Sequence, residues 1–340
     1  MSEQHTSPRL IADIGGTNAR FALLDGSRDK DSAPHRNTRR DEMVLRCADY
    51  PDIVSAIEYY LAEVGAAKGA ARPVEAALAI AGPITGDIVR MTNHAWQFSA
   101  ARTREALGWR RLILLNDFTA LAMAIRHLPR DELDQVGGGQ AVADMPIALL
   151  GPGTGLGVSG LIPAVGHWIP LQGEGGHQTL SVMNEREIAV LGQLHQRFSH
   201  VSAERVLSGP GLVNLYDALC GLEGIVPKVL TPPEITRRAQ EGSCRICLEA
   251  VSMFCALLGT LAGNLVLVLG AVGGCYIGGG IVPSLGKVFA SSHFRDRFED
   301  KGRYADYLSR VPTFVIRSEL PAFIGLAAAF SAPGPRWEAE

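Results

Sequence analysis

The sequence predicts an α/β protein of two domains. Short apolar segments that end in glycine or polar turns alternate with segments of helical spacing, as strands and helices do around an open sheet. The chain has 340 residues, which exceeds the usual size of one hydrophobic core. The pattern of strand, glycine turn and strand also occurs twice, at residues 10–24 and 147–162. This repetition indicates two related halves.

Composition and charge exclude several classes of protein. The chain is 47% hydrophobic and 20% charged, with a net charge of −3. This charge argues against nucleic-acid binding, because a protein that binds nucleic acid is expected to carry a basic face. Residues 1–9 are polar, and the six cysteines are scattered, so we expect no signal peptide and a reducing, cytoplasmic location. Residues 250–286 carry no charge, but glycines interrupt them and no basic cluster flanks them. We interpret them as a buried helix and strand rather than a membrane span.

The first hairpin, residues 10–24, has the features of a phosphate-binding turn. Asp13 lies near the end of its first strand. Gly15 and Gly16 permit the positive φ angles that a sharp turn needs and let backbone N–H groups approach an anion, and Thr17 adds a hydroxyl. The Walker loop does not fit because no Gly-Lys-Ser/Thr follows, and the dinucleotide fingerprint does not fit because a strand follows instead of a helix. Taken alone, this hairpin is equally compatible with an ordinary Gly-Gly turn.

The second hairpin repeats this arrangement. A strand at 147–150 leads into the glycine turn 151–157, in which Thr154 follows Gly153 as Thr17 follows Gly16. Two matching turns favour a phosphate-holding function over coincidence. A further glycine cluster, residues 278–280, ends a later strand, and it would either let the backbone lie against a base or ribose or form a tight turn into a helix.

Polar residues at three other places are candidates for binding and catalysis. Asn116 and Asp117 end the apolar strand 112–115, at the sheet edge where open α/β proteins bind ligands, although Asp117 could serve only as a helix cap. Glu174 and His177 lie in a glycine-rich loop that suits binding of hydroxyl groups, or is merely a flexible surface loop. Glu204 follows the predicted N-cap Ser202 and, on local grounds, only complements a helix N-terminus.

Local spacing predicts several further elements. We expect helices at 52–64, 185–198 and 202–206, a helix from the N-cap Ser99 to Gly108, and a buried strand at 74–80. Residues 27–46 are rich in charge and turn formers, which predicts an exposed loop without an assigned function. Cys244 and Cys247 have redox or zinc-like spacing, but no second pair of ligands and no strand before the helix accompany them, so we interpret them as incidental.

Taken together, these motifs resemble the bacterial glucokinases of the hexokinase and actin-like superfamily. The resemblance covers about residues 10–330, and its motifs occur in the expected order. The matching segments are residues 13–20, 91–94, 116–120, 153–157, 173–177, 202–209 and 277–283. The position before Asp13 is usually glycine in this family and is Ala12 here. The zinc-binding cysteine cluster of the related repressor and kinase family is absent after His177, which places the chain in the metal-free branch.

The resemblance implies two actin-like, ribonuclease H-like α/β domains with a cleft between them. The small domain would comprise residues 1–127 and 318–340, and the large domain residues 128–317. ATP and Mg²⁺ would bind at the two hairpins, with Asp13 contacting the metal directly or through water. The implied nucleotide-binding residues are Ala12, Asp13, Ile14, Gly15, Gly16, Thr17, Asn18, Gly153, Thr154, Gly278, Gly279 and Gly280. A homodimer is also typical of the family.

The implied reaction is phosphorylation of glucose at its 6-hydroxyl by ATP. Asp117 would be the general base, and Asn116, Asp117, Glu174, His177 and Glu204 would bind the sugar. For Glu204 this assignment depends wholly on the resemblance. The alternative is a kinase for another hexose or an N-acetylated hexose. Two other functions fit the motifs less well. A protein that is only an actin-like nucleotide switch would not need the loop with Glu174 and His177. A sugar-responsive repressor would need a DNA-binding module before residue 10.

Overall fold

The structure, a computed structural model, describes residues 7–25, 39–91 and 94–331. The chain divides into two compact units. Unit 1 comprises Met1–Pro129, Ala164–Gln172 and Ser318–Glu340, and unit 2 comprises Arg130–Pro163 and Gly173–Arg317. This division differs from the prediction, because residues 128–129 and 164–172 group with unit 1. One reason is the contact of Trp168 with the Arg126 guanidinium, which lies 4.5 Å from the ring centroid.

The described residues form two large sheets, a two-stranded ribbon and twelve α-helices. The strands are β1 (Arg9–Ile14), β2 (Asn18–Leu24), β3 (Arg39–Arg46), β4 (Glu75–Ile80), β5 (Ile88–Arg90), β6 (Gln97–Ser99), β7 (Arg111–Asn116), β8 (Leu133–Val136), β9 (Ile147–Pro152), β10 (Leu156–Ala164), β11 (His167–Leu171), β12 (Cys275–Ile277) and β13 (Thr313–Ile316). The helices are α1 (Ile53–Glu63), α2 (Ala100–Ala106), α3 (Asp117–Ala124), α4 (Glu185–His195), α5 (Gly209–Leu222), α6 (Pro232–Gln240), α7 (Arg245–Leu269), α8 (Ile281–Leu285), α9 (Lys287–Ala290), α10 (Phe294–Glu299), α11 (Ala305–Ser309) and α12 (Pro321–Ala329).

The sheet of unit 1 has the strand order β3-β2-β1-β4-β7. Strand β1 is antiparallel to β2 and parallel to β4, which is in turn parallel to β7. Both faces are covered, since Leu10 belongs to a cluster with α1 whereas Ile11 belongs to a cluster with α3 and α12. Burial on both faces explains why the sequences of β1, β4 and β7 are nearly continuous apolar runs rather than alternating ones.

The six-stranded sheet repeats this order. Its strands follow the order β11-β10-β9-β12-β13-β8, so the first five correspond position by position to those of unit 1. Strand β9 is again antiparallel to the strand that follows it and parallel to β12. The repeat predicted from the two hairpins therefore extends to the topology of both sheets.

Helix α7 accounts for the long uncharged segment. It is the one helix in the described part of the chain that is long and apolar enough to cross a membrane, and 72% of its most hydrophobic window is buried inside the protein. Side chains at Gly259 and Gly263 would collide with the backbone carbonyls of Phe294 and Phe298, so these glycines let α10 approach closely. Burial against neighbouring elements therefore explains its composition.

Helix starts were predicted well, and two segments were predicted wrongly. Asp52 caps α1 by accepting from Ser55 N at 2.7 Å, and Ser99 caps α2 by accepting from Arg102 N at 3.1 Å. The loop predicted over 27–46 is wrong for its second half, because residues 39–46 form β3, whose charged side chains suit a sheet edge. Residues 26–38 and Thr92–Asn93 lie outside the described residues. The helix predicted at 202–206 is only a 3-10 turn over Ala203–Arg205.

Candidate active site

The first hairpin forms a turn that is held from outside by Cys47. Gly15 N donates to Asn18 O at 3.0 Å, Cys47 N donates to Thr17 O at 2.9 Å, and the Cys47 thiol donates to Gly15 O at 3.4 Å. The turn does not use the positive φ that glycine permits, since neither Gly15 nor Gly16 is among the described residues with positive φ. What the glycines provide is backbone without side chains, next to the exposed Thr17.

Asp13 is the acidic group of this hairpin, and Arg20 lies opposite it on β2. Arg20 Nη1 is 3.5 Å from Asp13 Oδ2. Burial raises the pKa of Asp13 above its ordinary value, and the charge and hydrogen bond of Arg20 only partly oppose this. Sequence reasoning missed Arg20, although its register with Asp13 follows from the hairpin. By contrast, Ala12 and Ile14 are fully buried, so their side chains shape the strand and offer no surface to a ligand.

The carboxyl end of β7 presents Asn116 and Asp117 at the start of α3. Asn116, and not Asp117, is the helix cap: its Oδ1 accepts from Phe118 N at 2.9 Å and from Thr119 N at 3.3 Å. Its amide also donates to Gly82 O at 3.2 Å, which leaves one amide hydrogen for a ligand. Asp117 Oδ1 accepts from Phe118 N at 2.8 Å, so the carboxylate is oriented by the first turn of the helix.

The first hairpin and Asp117 lie at the same end of one sheet, where its parallel strands have their carboxyl ends. Ile14 pairs with Ile80, and Ile80 pairs with Asn116, so the three strand ends are in register. Only β4 separates β1 from β7, which places the two strand ends roughly 10 Å apart. Backbone donors and a carboxylate at this separation can hold a phosphate group and orient a hydroxyl near it.

The second hairpin and the later glycine cluster also meet, within unit 2. Gly153 N donates to Gly155 O at 2.8 Å, and Gly209 N, at the start of α5, donates to Gly153 O at 2.8 Å. Gly278 N donates to Leu150 O at 2.9 Å, and a side chain at Gly279, which has a φ of 79°, would collide with the Pro152 carbonyl. The structure thus brings together two of the three predicted nucleotide-binding segments.

The loop with Glu174 and His177 lies beside the turn that carries Glu204. Ala203 N donates to Gln178 O at 2.8 Å, which ties the two segments together. Glu174 and His177 are exposed, and Glu204 is half-buried. The predicted hydroxyl-binding residues of unit 2 therefore occupy adjoining turns.

Glu204 makes a contact that no local pattern predicts. Its Oε2 accepts from Leu156 N, on the second hairpin, at 2.9 Å. An ideal Cβ at Gly155 would lie 2.5 Å from the same oxygen, and one at Gly176 would collide with the Leu156 carbonyl. The expectation that Glu204 complements the N-terminus of its own helix is wrong, because that helix is absent and the carboxylate binds the hairpin instead. The second hairpin and the loop with Glu174 and His177 therefore pack directly against each other.

Known proteins resemble this chain along nearly its whole length. A family model described as Glucokinase matches residues 10–333. The chain is 50% identical to the Glucokinase of Aromatoleum aromaticum over 95% of either chain, and 52% identical to that of Chromobacterium violaceum over 94% of this chain and 88% of the other. A crystal structure of glucokinase from an Antarctic psychrotroph has a TM-score of 0.84 at 37% identity, covering 95% of this chain and 98% of that one.

Proposed function

We propose that this chain, a member of the glucokinase family that uses ATP to phosphorylate glucose, transfers the phosphoryl group to the 6-hydroxyl. We also propose that Asp117 is the general base of this reaction. The fold of the chain is the predicted actin-like α/β fold. The observation that carries the assignment of Asp117 is its position at the sheet edge it shares with the first glycine hairpin. A base there can take the hydroxyl proton while the hairpin holds the phosphates.

Phosphoryl transfer depends mainly on positioning and on neutralising charge. We assign the phosphates to the turns Gly15–Asn18 and Gly153–Thr154, through backbone N–H groups other than those of Gly15 and Gly153, which donate within their own hairpins, and through the hydroxyls of the exposed threonines. Gly278–Gly280 would lie against the base or ribose. Asp117, oriented by Phe118 N, would accept the proton of the attacking hydroxyl.

Mg²⁺ fits the residues of the first hairpin. Among the described residues, no group of three or more His, Cys, Asp or Glu could hold a metal, so these side chains would supply at most two ligands. A single carboxylate that completes a shell of phosphate oxygens and water is the usual Mg²⁺ arrangement in kinases. Asp13 provides that carboxylate, since its contact with Arg20 is long at 3.5 Å. When bound, the metal would neutralise phosphate charge.

For the sugar, we propose hydroxyl contacts from Asn116, Glu174, His177 and Glu204 as well as from Asp117. The remaining amide hydrogen of Asn116 can donate, whereas Glu204 can accept with its second oxygen while Oε2 keeps Leu156 N. A site built to hydrogen-bond a hydroxyl rejects an analogue that lacks it, by about 10⁴-fold or more.

The test is a coupled phosphorylation assay over hexoses and N-acetylated hexoses with several nucleotide donors. We expect glucose with ATP to give the highest kcat/KM, and ATP turnover without sugar to be slow. Higher kcat/KM for another hexose or an N-acetylated hexose would favour the alternative sugar kinase. Sugar-independent ATP turnover would instead indicate a nucleotide switch.

Replacing Gly155 tests whether the position of the Glu204 carboxylate matters. In Gly155→Ala the methyl group would lie 2.5 Å from Oε2 and displace it from Leu156 N. A hydrogen bond to a charged group contributes about 1.5–3 kcal/mol, so we expect kcat/KM for glucose to fall roughly 10- to 100-fold. Gly192→Ala is the control, because its Cβ would meet nothing within 4 Å. Unchanged kinetics in Gly155→Ala would contradict the proposed binding role of Glu204.

We further propose that the enzyme acts in the cytoplasm as a homodimer. The scattered cysteines, which are all free, fit a reducing compartment. Light scattering after size-exclusion chromatography measures the mass in solution, and a value near that of one 36.3 kDa chain would reject the dimer.

A further inference from the structure

Cys244 and Cys247 occupy the first turn of α7, outside every segment assigned to nucleotide or sugar. Cys244 is the N-cap of this 25-residue helix, and its Sγ accepts from Cys247 N at 3.3 Å. Cys244 is partly exposed, whereas Cys247 is buried beneath it. The two thiols therefore share one helical turn, with one open to solvent and the other covered.

This position favours a thiolate on Cys244. The free N–H groups of a helix start stabilise negative charge, and a thiolate is the reactive form of cysteine. Burial opposes ionisation of Cys244, but hydrogen bonds from the Cys247 thiol and from the N–H groups of Cys247 and Ile246 outweigh it, so its pKa lies below the ordinary value. Burial and the neighbouring Cys244 raise the pKa of Cys247.

The other four cysteines lack this combination. Cys47, Cys220, Cys255 and Cys275 are buried, and burial raises the pKa of each. Cys47 also donates its thiol hydrogen to Gly15 O. A reagent that reaches the folded protein is thus expected to react first at Cys244.

We propose that Cys244 and Cys247 are a reversible dithiol–disulfide pair, oxidised by a low-molecular-weight disulfide such as oxidised glutathione. The Cys244 thiolate attacks one sulfur of glutathione disulfide, which forms a mixed disulfide and releases one glutathione thiolate. The Cys247 thiol then loses its proton and attacks Cys244 Sγ, forming the protein disulfide and releasing the second glutathione. The protein loses two electrons and two protons, and the oxidant becomes two thiols. Two cysteines at the cap and third positions of one helix supply the attacking and resolving groups that this sequence of steps needs.

The protease sites around the pair allow a direct test. The full-length protein is equilibrated in buffers of increasing oxidised-to-reduced glutathione ratio, quenched in acid, alkylated with N-ethylmaleimide and digested with trypsin and Glu-C. Cleavage after Glu241, Arg245 and Glu249 places the two cysteines in separate peptides, 242–245 and 246–249. We expect these peptides to be linked by a disulfide that increases with the oxidised fraction and disappears with dithiothreitol.

Variants and internal controls separate this outcome from others. In Cys247→Ser, glutathione should remain on Cys244, because no thiol resolves the mixed disulfide. In Cys220→Ser, the linked peptides should form as in the unchanged protein. The proposal is overturned if peptide 242–245 stays fully alkylated at every ratio, if it retains glutathione although Cys247 is present, or if the linked peptides appear only when Cys255 and Cys275 also react, which would indicate unfolding.

Discussion

The Asp117→Asn variant is expected to bind glucose and to lose about 10²- to 10⁴-fold in kcat, the usual contribution of a general base. Asparagine has the same shape, and its Oδ1 can still accept from Phe118 N, which is 2.8 Å from Asp117 Oδ1. The start of α3 should remain intact, because Asn116 provides the cap. What the amide cannot do is accept the proton of the sugar hydroxyl. The measurements are kcat from the coupled assay and the glucose Kd from titration calorimetry.

The matched control for this variant is Asp52→Asn. Asp52 caps α1 by accepting from Ser55 N, and asparagine is an equally good cap, so both kinetics and stability should be unchanged. Near-normal turnover in Asp117→Asn would remove Asp117 from the base role. A large rise in the glucose Kd with a proportionate loss of kcat/KM, but little change in kcat, would show instead that Asp117 mainly binds the sugar.

Hairpins, helix starts and strand ends could be predicted because short segments of sequence determine them. Asp52 and Ser99 cap their helices through backbone N–H groups three residues away, and the repeated glycine turns indicated the repeated sheets. Asn116 and Asp117 show the limit of such reasoning, because both are suitable caps and only the structure shows that Asn116 accepts from Thr119 N as well as from Phe118 N.

The contact of Glu204 with Leu156 N could not be predicted, because it joins residues far apart in the sequence. The residues around Glu204 predict only that it complements a helix N-terminus, and the resemblance implies only that it binds the sugar. Strand β3 was missed for a related reason. Its charged residues predicted a loop, but the segment forms a strand because it pairs with β2. Long-range pairing thus determines the details of the site that sequence patterns left open.

The Glu187→Gln variant is expected to lower the free energy of unfolding by about 3–5 kcal/mol, the usual result of breaking a buried ion pair. Glu187 is 3% exposed and Arg297 is 12% exposed, with Oε1 2.5 Å from Nη1. Met183 N and Asn184 Nδ2 also donate to this carboxylate, at 2.8 and 2.9 Å. Removing its charge leaves the Arg297 guanidinium buried without a counter-ion. Urea unfolding, followed by circular dichroism, measures the change.

Glu241→Gln is the matched control. Glu241 pairs with Arg237 at 2.7 Å on the surface of α6, where the two side chains are 48% and 56% exposed. Exposed pairs of this spacing contribute about 0.3–0.5 kcal/mol, so this variant should unfold almost as the unchanged protein does. Equal losses of unfolding free energy in the two variants would mean that burial does not increase the contribution of the Glu187–Arg297 pair to stability.

The buried pair should also contribute to the pH dependence of stability. Burial raises the pKa of Glu187, but hydrogen bonds from Arg297, Met183 N and Asn184, with the charge of Arg297, outweigh it and hold the pKa below the ordinary value of 4.5. A carboxyl group with a depressed folded-state pKa stabilises the protein above its unfolded-state pKa, and this contribution is lost as the pH falls through the folded-state pKa. The stability difference between the unchanged protein and Glu187→Gln should therefore be constant near neutral pH and shrink below about pH 4.5. A difference that stays constant down to pH 3 would place the source of the destabilisation in packing rather than in the charge of Glu187.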